Sequence, residues 1–290
     1  SMYNLPPLGL IRIATSLKDQ GHDIAVRDFV LAIRQGTLAV GPGIYEDCAR
    51  KIAGEHPDFV GFSAQCTTYP PVVHISRNLK ALIPDVKIVV GGHNASFVDR
   101  RTLEVFPFID VIVRGEGEIS FRELVSAYAS ANDPSGVLGI TYRGREGILR
   151  TEDRPLIEDL DSLPLPDYSF LPGLSAYGRA CGLPRSIAIL EVGRGCPHHC
   201  IYCSESLLWR RRTRTFSPAR IVEEMETLAS QSGAECFLLA YDQFTARRDF
   251  VEEFCDRVMQ AGLNHLPWYC ISRLDSVDAP LLERMREAGC

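Results

Sequence analysis

The feature that most restricts the fold is a repeated alternation of short apolar runs with amphipathic stretches. Phe59 to Phe62, Lys87 to Val90 and Ile109 to Val113 read as buried strands. Around them, Leu10, Ile13, Ala14 and Leu17 recur at helical spacing, and Pro71 to Leu82 and Ser120 to Ala129 carry helical patterns. Strands that are apolar throughout, joined by helices, imply an α/β fold whose parallel sheet is covered on both faces. Ile24 to Val26 predicts a further short strand ending near Asp28. In a doubly wound sheet of order 2-1-3-4-5 the first strand is central. This sequence opens in the loop and helix of Leu5-Pro-Pro-Leu-Gly9, so the reading expects a strand upstream of it.

The pattern then changes twice. From Gly136 to Leu149 a hairpin is predicted, turning at Arg143-Gly144. Residues 151–185 are rich in proline and acidic residues, lack periodicity and read as a linker. A second alternation follows, with strands at Ser186 to Val192, Cys236 to Ala240 and Trp268 to Ile271. Its helices are a run capped by Ser217-Pro218 and ended by Gly233, then Phe250 to Gln260 and Pro280 to Ala288. The expected organisation is a first domain over 1–150, a linker over 151–185 and a second domain over 186–290.

Composition narrows the function. The 290 residues are 46% hydrophobic and 23% charged, ordinary for a globular protein, and carry a net charge of −6. That balance argues against a nucleic-acid partner, which needs a basic footprint. No apolar run reaches the roughly 18 residues of a membrane span, and no signal-peptide pattern opens the chain. The expectation is a cytoplasmic protein.

Three of the ten cysteines sit together. Cys196-Pro-His-His-Cys200-Ile-Tyr-Cys203 follows a strand and Gly193-Arg-Gly195, which places the loop at the strand's C-terminal end, where α/β barrels keep their active sites. Clustered cysteines in a chain without a secretory signal read as metal-binding or catalytic. Three thiolates suit a 4Fe–4S cluster with one iron left open. The alternative is a zinc site with His198 or His199 as fourth ligand. The other seven cysteines read as small buried hydrophobes.

This C-x3-C-x2-C loop, with an aromatic before its last cysteine, resembles the radical S-adenosylmethionine (SAM) superfamily. The resemblance implies that Cys196, Cys200 and Cys203 hold the cluster and that the backbone of Tyr202 meets the SAM adenine. Tyr241-Asp242-Gln243-Phe244-Thr245 looks like the family's acidic loop near the SAM amino group, with Gln243 where a second acid is common. Arg273 resembles a family arginine that reaches SAM. Fold and position together imply a partial (β/α)6 radical SAM barrel.

The N-terminal half is similar to the cobalamin-binding, Rossmann-like domain that precedes many such barrels. The matching pieces are Pro6-Pro-Leu-Gly9, Gly21 to Asp28, Val60-Gly-Phe-Ser63, Val90-Gly-Gly-His93 and Arg114-Gly-Glu-Gly-Glu118, in order. The resemblance implies cobalamin contacts from Ser63, Gln65, Cys66, Thr67, Thr68 and Tyr69, from Gly91, Gly92 and His93, and from Gly115, Glu116, Gly117 and Glu118. Glycines at these strand ends let backbone approach a flat ligand. The D-x-H-x-x-G motif of base-off cobalamin proteins is absent, which leaves Cys66 or Tyr69 as neighbours of the lower face.

As a whole the chain resembles cobalamin-dependent radical SAM enzymes, most often methyltransferases. That implies methyl transfer to an unactivated carbon through methylcobalamin and a 5′-deoxyadenosyl radical, with cyclisation or rearrangement as the alternative outcome. It also implies a small-molecule or peptide substrate and an electron donor such as flavodoxin or ferredoxin.

Overall fold

The protein is described from a computed structural model covering residues 5–290. The chain divides into two compact units that interleave in sequence. One takes Ser16–His22 and Ala32–Ile157; the other takes the described residues up to Thr15, Asp23–Leu31 and Glu158–Cys290.

In the first unit, β1 (Phe59–Ser63), β2 (Lys87–Gly91) and β3 (Val111–Val113) run parallel. β4 (Ile140–Gly144) and β5 (Gly147–Arg150) then add antiparallel, giving the order β1-β2-β3-β4-β5. Ile88, Val89, Val90, Val111 and Ile112 are all buried, as expected of strands covered on both faces. The helices Tyr69–Leu82 and Gly117–Ala129 each follow a strand directly. They open two and three residues before the predicted starts, the first with prolines in its opening turn, where a missing N–H costs nothing.

Three expectations differ from the structure. Residues 24–26 join no strand among the described residues, and this stretch belongs to the second unit. The hairpin turns two residues later than predicted, at Arg145-Glu146, because Gly144 still pairs with Gly147. The expected linker is packed chain. It carries the helix Leu174–Ala180, and Leu156, Leu160, Leu163, Tyr168 and Tyr177 are buried. Its acidic residues cap short turns: Asp159 and Asp167 accept from the N–H groups of Asp161 and Ser169. The division falls between Ile157 and Glu158, inside the stretch read as linker.

In the second unit β6 (Ile187–Glu191) pairs in parallel with β9 (Cys236–Ala240), and β9 with β10 (Trp268–Cys270). A two-stranded ribbon, β7 (Gly193–Arg194) against β8 (Arg214–Thr215), leaves and re-enters between β6 and the next helix. The helices Pro218–Ser232, Arg248–Gln260 and Ala279–Glu287 complete three strand–helix repeats. Ser217 caps the first by accepting from the Arg220 N–H, and Gly233 ends it at φ +66°. Phe244, Phe254 and Trp268 form the aromatic centre, with centroids 5.3–5.6 Å apart. Among the described residues no helix is long and apolar enough to cross a membrane.

Phe254 is fully buried against two of these rings. Phe254→Ala is expected to cost about 3–5 kcal/mol, read as a lowered denaturation midpoint.

Candidate functional site

The cysteine loop is framed by two glycines that cannot be replaced without moving backbone. A Cβ on Gly193 would lie 2.7 Å from the Arg214 carbonyl oxygen. Gly195 has φ +90°, and a Cβ there would fall 2.0 Å from the Arg212 carbonyl oxygen. The glycines let β7 pass close to the returning strand, and Cys196 follows at once. The Cys203 N–H donates to the Cys200 carbonyl at 3.1 Å, and Ser206 Oγ donates to the Cys203 carbonyl at 3.3 Å. All three thiols are unbridged and half-buried. Between them Ile201 and Tyr202 are almost wholly exposed, at 103% and 88%. Two large apolar side chains left open beside three thiols suit a loop that covers a bound group.

Among the described residues no three of His, Cys, Asp and Glu converge on one point that a single ion would occupy. A cubane differs, because it takes each thiolate at a separate iron, and three thiols on one short loop fit that demand.

Behind the loop lies a buried charge network. Glu191, the last residue of β6, accepts from Arg194 Nε at 2.8 Å and Nη2 at 3.0 Å, and pairs with Arg12 Nε at 2.7 Å. Arg12 sits over the Phe216 ring at 4.7 Å and donates to the Pro164 carbonyl at 3.3 Å. Burial pushes the Glu191 carboxyl up, but Arg194 and then Arg12 more than offset it and hold it below the usual range. Glu224 lies farther off, 3.7 Å from Arg12, and its Oε1 is buried without a hydrogen-bond partner. Burial, opposed by Arg12 and assisted by Glu191, pushes Glu224 up to about 7. Two arginines of the basic stretch 210–214 after the loop are engaged within the chain. Arg214 is buried, with its guanidinium 5.6 Å from the Trp209 ring centre, and Arg212 makes a two-pronged pair with Glu158 at 2.6 and 2.7 Å.

The loops after β9 and β10 carry the other residues singled out from sequence. Asp242 is exposed. The Arg273 guanidinium is held by Asp275 at 2.9 and 2.6 Å, which raises its pKa; Cys200 and Cys196 add smaller contributions in the same direction. Tyr241 is pushed up to about 12 by burial, and then by Cys196 and Asp242.

In the first unit the ends of β1, β2 and β3 meet. The Ala64 N–H donates to the Gly91 carbonyl at 2.8 Å, and the Asn94 N–H to the Ala64 carbonyl at 3.1 Å. Gly92 has φ +95°, and a Cβ there would lie 2.9 Å from the Ala64 carbonyl oxygen. Ser63, Gln65, Cys66, Thr67 and Gly115 are exposed at this edge, and Thr68, Gly91, His93 and Gly117 are partly so. Thr68 Oγ1 accepts from the Gln65 N–H at 2.9 Å, so it shapes the turn. Three expected contacts turn inward instead. Tyr69 OH bonds Thr102 Oγ1 at 2.6 Å. Glu116 Oε2 accepts from the Ile157 N–H at 2.6 Å, and Glu118 is buried. A carboxylate in a glycine-rich loop looks ligand-facing in sequence; only the fold shows it spent on a backbone donor.

Two residues escaped the sequence reading. Ser96 Oγ accepts from the Gly115 N–H at 3.0 Å and donates to the Gly92 carbonyl at 2.9 Å, linking two glycine loops. Asn94 Oδ1 accepts from Cys66 Sγ at 3.6 Å. Neither lies in a recognisable pattern. The edge leaves room for a large flat ligand at Gly115, which is exposed and has open space where a side chain would stand.

The sequence profile of the B12 binding domain matches residues 1–125, and that of the radical SAM superfamily matches residues 190–290. An uncharacterised methyltransferase of Pyrococcus horikoshii is 30% identical over 98% of this chain and 59% of its own length. The anaerobic magnesium-protoporphyrin IX monomethyl ester cyclase of Synechocystis is 30% identical over 98% of this chain and 55% of its own. The solved radical SAM methyltransferase TsrM from Kitasatospora setae superposes with a TM-score of 0.79 at 20% identity, over 99% of this chain and 55% of that one. The chain thus spans little more than half the length of these relatives.

Two outcomes follow from the geometry. Gly195→Ala forces the loop off the Arg212 carbonyl, so the variant is expected to lose most of its iron after anaerobic reconstitution, read by iron and sulfide assay. Glu224 titrates at about 7 in the fold against an ordinary 4.5. Its folded form holds the proton more tightly, so its contribution to stability is present below 4.5 and is lost as pH rises through about 7. Glu224→Gln is expected to remove that pH dependence, read as denaturation midpoints that change less than wild type across the window.

Proposed function

The chain belongs to the radical SAM proteins that carry a B12 binding domain ahead of the barrel, and from that premise we propose that it is part of a cobalamin-dependent radical SAM methyltransferase. The observation that carries the reading is the loop of three free, half-buried thiols at the C-terminal end of β6. In this reading Cys196, Cys200 and Cys203 hold a 4Fe–4S cluster. The Tyr202 backbone, Asp242 and Arg273 bind SAM. Ser63, Gln65, Cys66, Thr67, Gly91, Gly92, His93, Gly115 and Gly117 line the cobalamin edge, with Thr68 shaping it.

When bound, these groups supply a reducing electron for SAM cleavage and a carrier for the methyl group. The chain's own residues bind and orient. Asp242 offers a carboxylate to the SAM ammonium, a charge-assisted contact. Arg273, already held by Asp275, offers its remaining donors to anionic oxygens. Ile201 and Tyr202, exposed beside the thiols, are available to cover the bound group.

The proposed reaction is methyl transfer to an unactivated carbon of a small molecule or peptide. Such a carbon is neither acidic nor nucleophilic, so a radical route is required. An electron donor such as flavodoxin or ferredoxin is the proposed partner, and the cytoplasm, where thiols stay reduced, the proposed compartment. Ring closure is the second reading, favoured by the similarity to the cyclase.

The test uses the full-length, anaerobically reconstituted protein. Cys200→Ala is expected to abolish cluster iron and 5′-deoxyadenosine formation together, read by iron assay and mass spectrometry. In the intact enzyme, 5′-deoxyadenosine with S-adenosylhomocysteine supports methyl transfer. Deoxyadenosine alone favours the cyclase-like reading, and neither product sinks both.

A further inference from the structure

The loops after β9 and β10 are joined through one buried amide. Gln243 is 1% exposed, although it follows the exposed Asp242. Its Oε1 accepts from the Arg273 backbone N–H at 3.1 Å, and its Nε2 donates to Ser276 Oγ at 2.9 Å. Ser276 Oγ in turn donates to the Arg273 carbonyl at 2.8 Å. That bond uses the only hydroxyl proton of Ser276. Its contact with Thr245 Oγ1 at 2.5 Å therefore has Thr245 as donor, and both remaining lone pairs are filled. Two bonds from backbone N–H groups run beside this hub. The Thr245 N–H donates to Ser272 Oγ at 3.1 Å, and the Phe244 N–H to the Ile271 carbonyl at 3.0 Å.

The hub makes two opposite demands on residue 243. The Arg273 N–H needs an acceptor, and the saturated Ser276 hydroxyl needs a donor. A carboxamide offers both at once. A carboxylate offers acceptors only and would set lone pair against lone pair at Ser276 unless it were protonated. The demand for a donor gives a physical reason for glutamine at a place where a second acid is common.

We infer that Gln243 is a positioning residue that fixes the Arg273 backbone relative to Asp242, and so sets how those two side chains meet SAM. The inference rests on the proposed reading that both face SAM. Gln243 itself is enclosed and touches no ligand. Its effect passes through the Arg273 peptide and the Ser276 hydroxyl.

The test compares Gln243→Glu, Gln243→Leu and Ser276→Ala with wild type in the full-length, cluster-loaded protein. SAM affinity is measured by calorimetry, and Arg273 amide exchange by hydrogen–deuterium exchange without SAM. Gln243→Leu is expected to weaken SAM about tenfold at every pH and to speed Arg273 exchange by a similar factor, at unchanged iron content. Gln243→Glu is expected to be equally weak at about pH 8 and to recover toward wild type at about pH 6, as burial keeps the new carboxyl protonated. A role in folding alone would not give that recovery in affinity. Wild-type affinity and exchange in all three variants, or loss of iron in both Gln243→Leu and Ser276→Ala, overturns the inference. Asp242→Asn and Arg273→Met separate it from the reading beneath. If those two weaken SAM and the Gln243 variants do not, only the positioning role fails. If they leave SAM affinity unchanged, the SAM-facing assignment falls and the inference with it.

Discussion

The second unit depends on a carboxylate shared by two guanidinium groups in a place nearly closed to water. Glu191 ends the first barrel strand and holds Arg194 through both of its oxygens, and Arg12 through one of them. Arg194 opens the ribbon that leads into the cysteine loop, and Arg12 belongs to the helix Leu8–Leu17 near the start of the chain. One side chain thus ties the start of the chain, the end of a strand and the entry to the loop. Such a cluster adds little net stability against an apolar core of equal volume. Removing one partner is severe, because a charge is then left buried alone. Its value lies in geometry: a two-pronged pair fixes direction as well as distance.

The same logic recurs wherever a strand ends. In the first unit Ser96 bridges two glycine loops, and Gly92 lets a third pass within contact of Ala64. In the second, Gln243 and Ser276 join the loops after β9 and β10. Parallel strands gather their C-terminal ends on one side, so loops far apart in sequence become neighbours there. Short polar side chains then fix each loop against the next. Among the residues left facing outward at these edges are glycines, small polar side chains, the charged Asp242 and Arg273, thiols, and apolar groups such as Ile201 and Tyr202.

Much of this was legible from the chain. The strand–helix alternation foretold both sheets, because an apolar run between amphipathic helices has few other ways to bury itself. The cysteine loop was legible because three thiols at short spacing have a narrow set of uses. Other features were not. Ile24 to Val26 has a strand's composition but finds no pairing among the described residues. The acidic, proline-rich stretch around residues 156–177 looked like a free linker, yet its spaced leucines and tyrosines are buried. Glu116, Glu118 and Tyr69 lie in stretches that resemble a ligand edge, and the fold turns them inward.

What the sequence determined by itself is local: which runs can be strands, where glycine permits a close turn, and that three cysteines share one loop. These follow from short-range sterics and from the valence of the side chains. Only the tertiary structure decided which polar groups are spent internally and which remain available. Arg12 and Glu191 are 179 residues apart in the chain, and Gln243 and Arg273 are 30 apart, so no local pattern couples them. A buried polar atom must find its partner wherever the fold brings one, and that search is settled by packing.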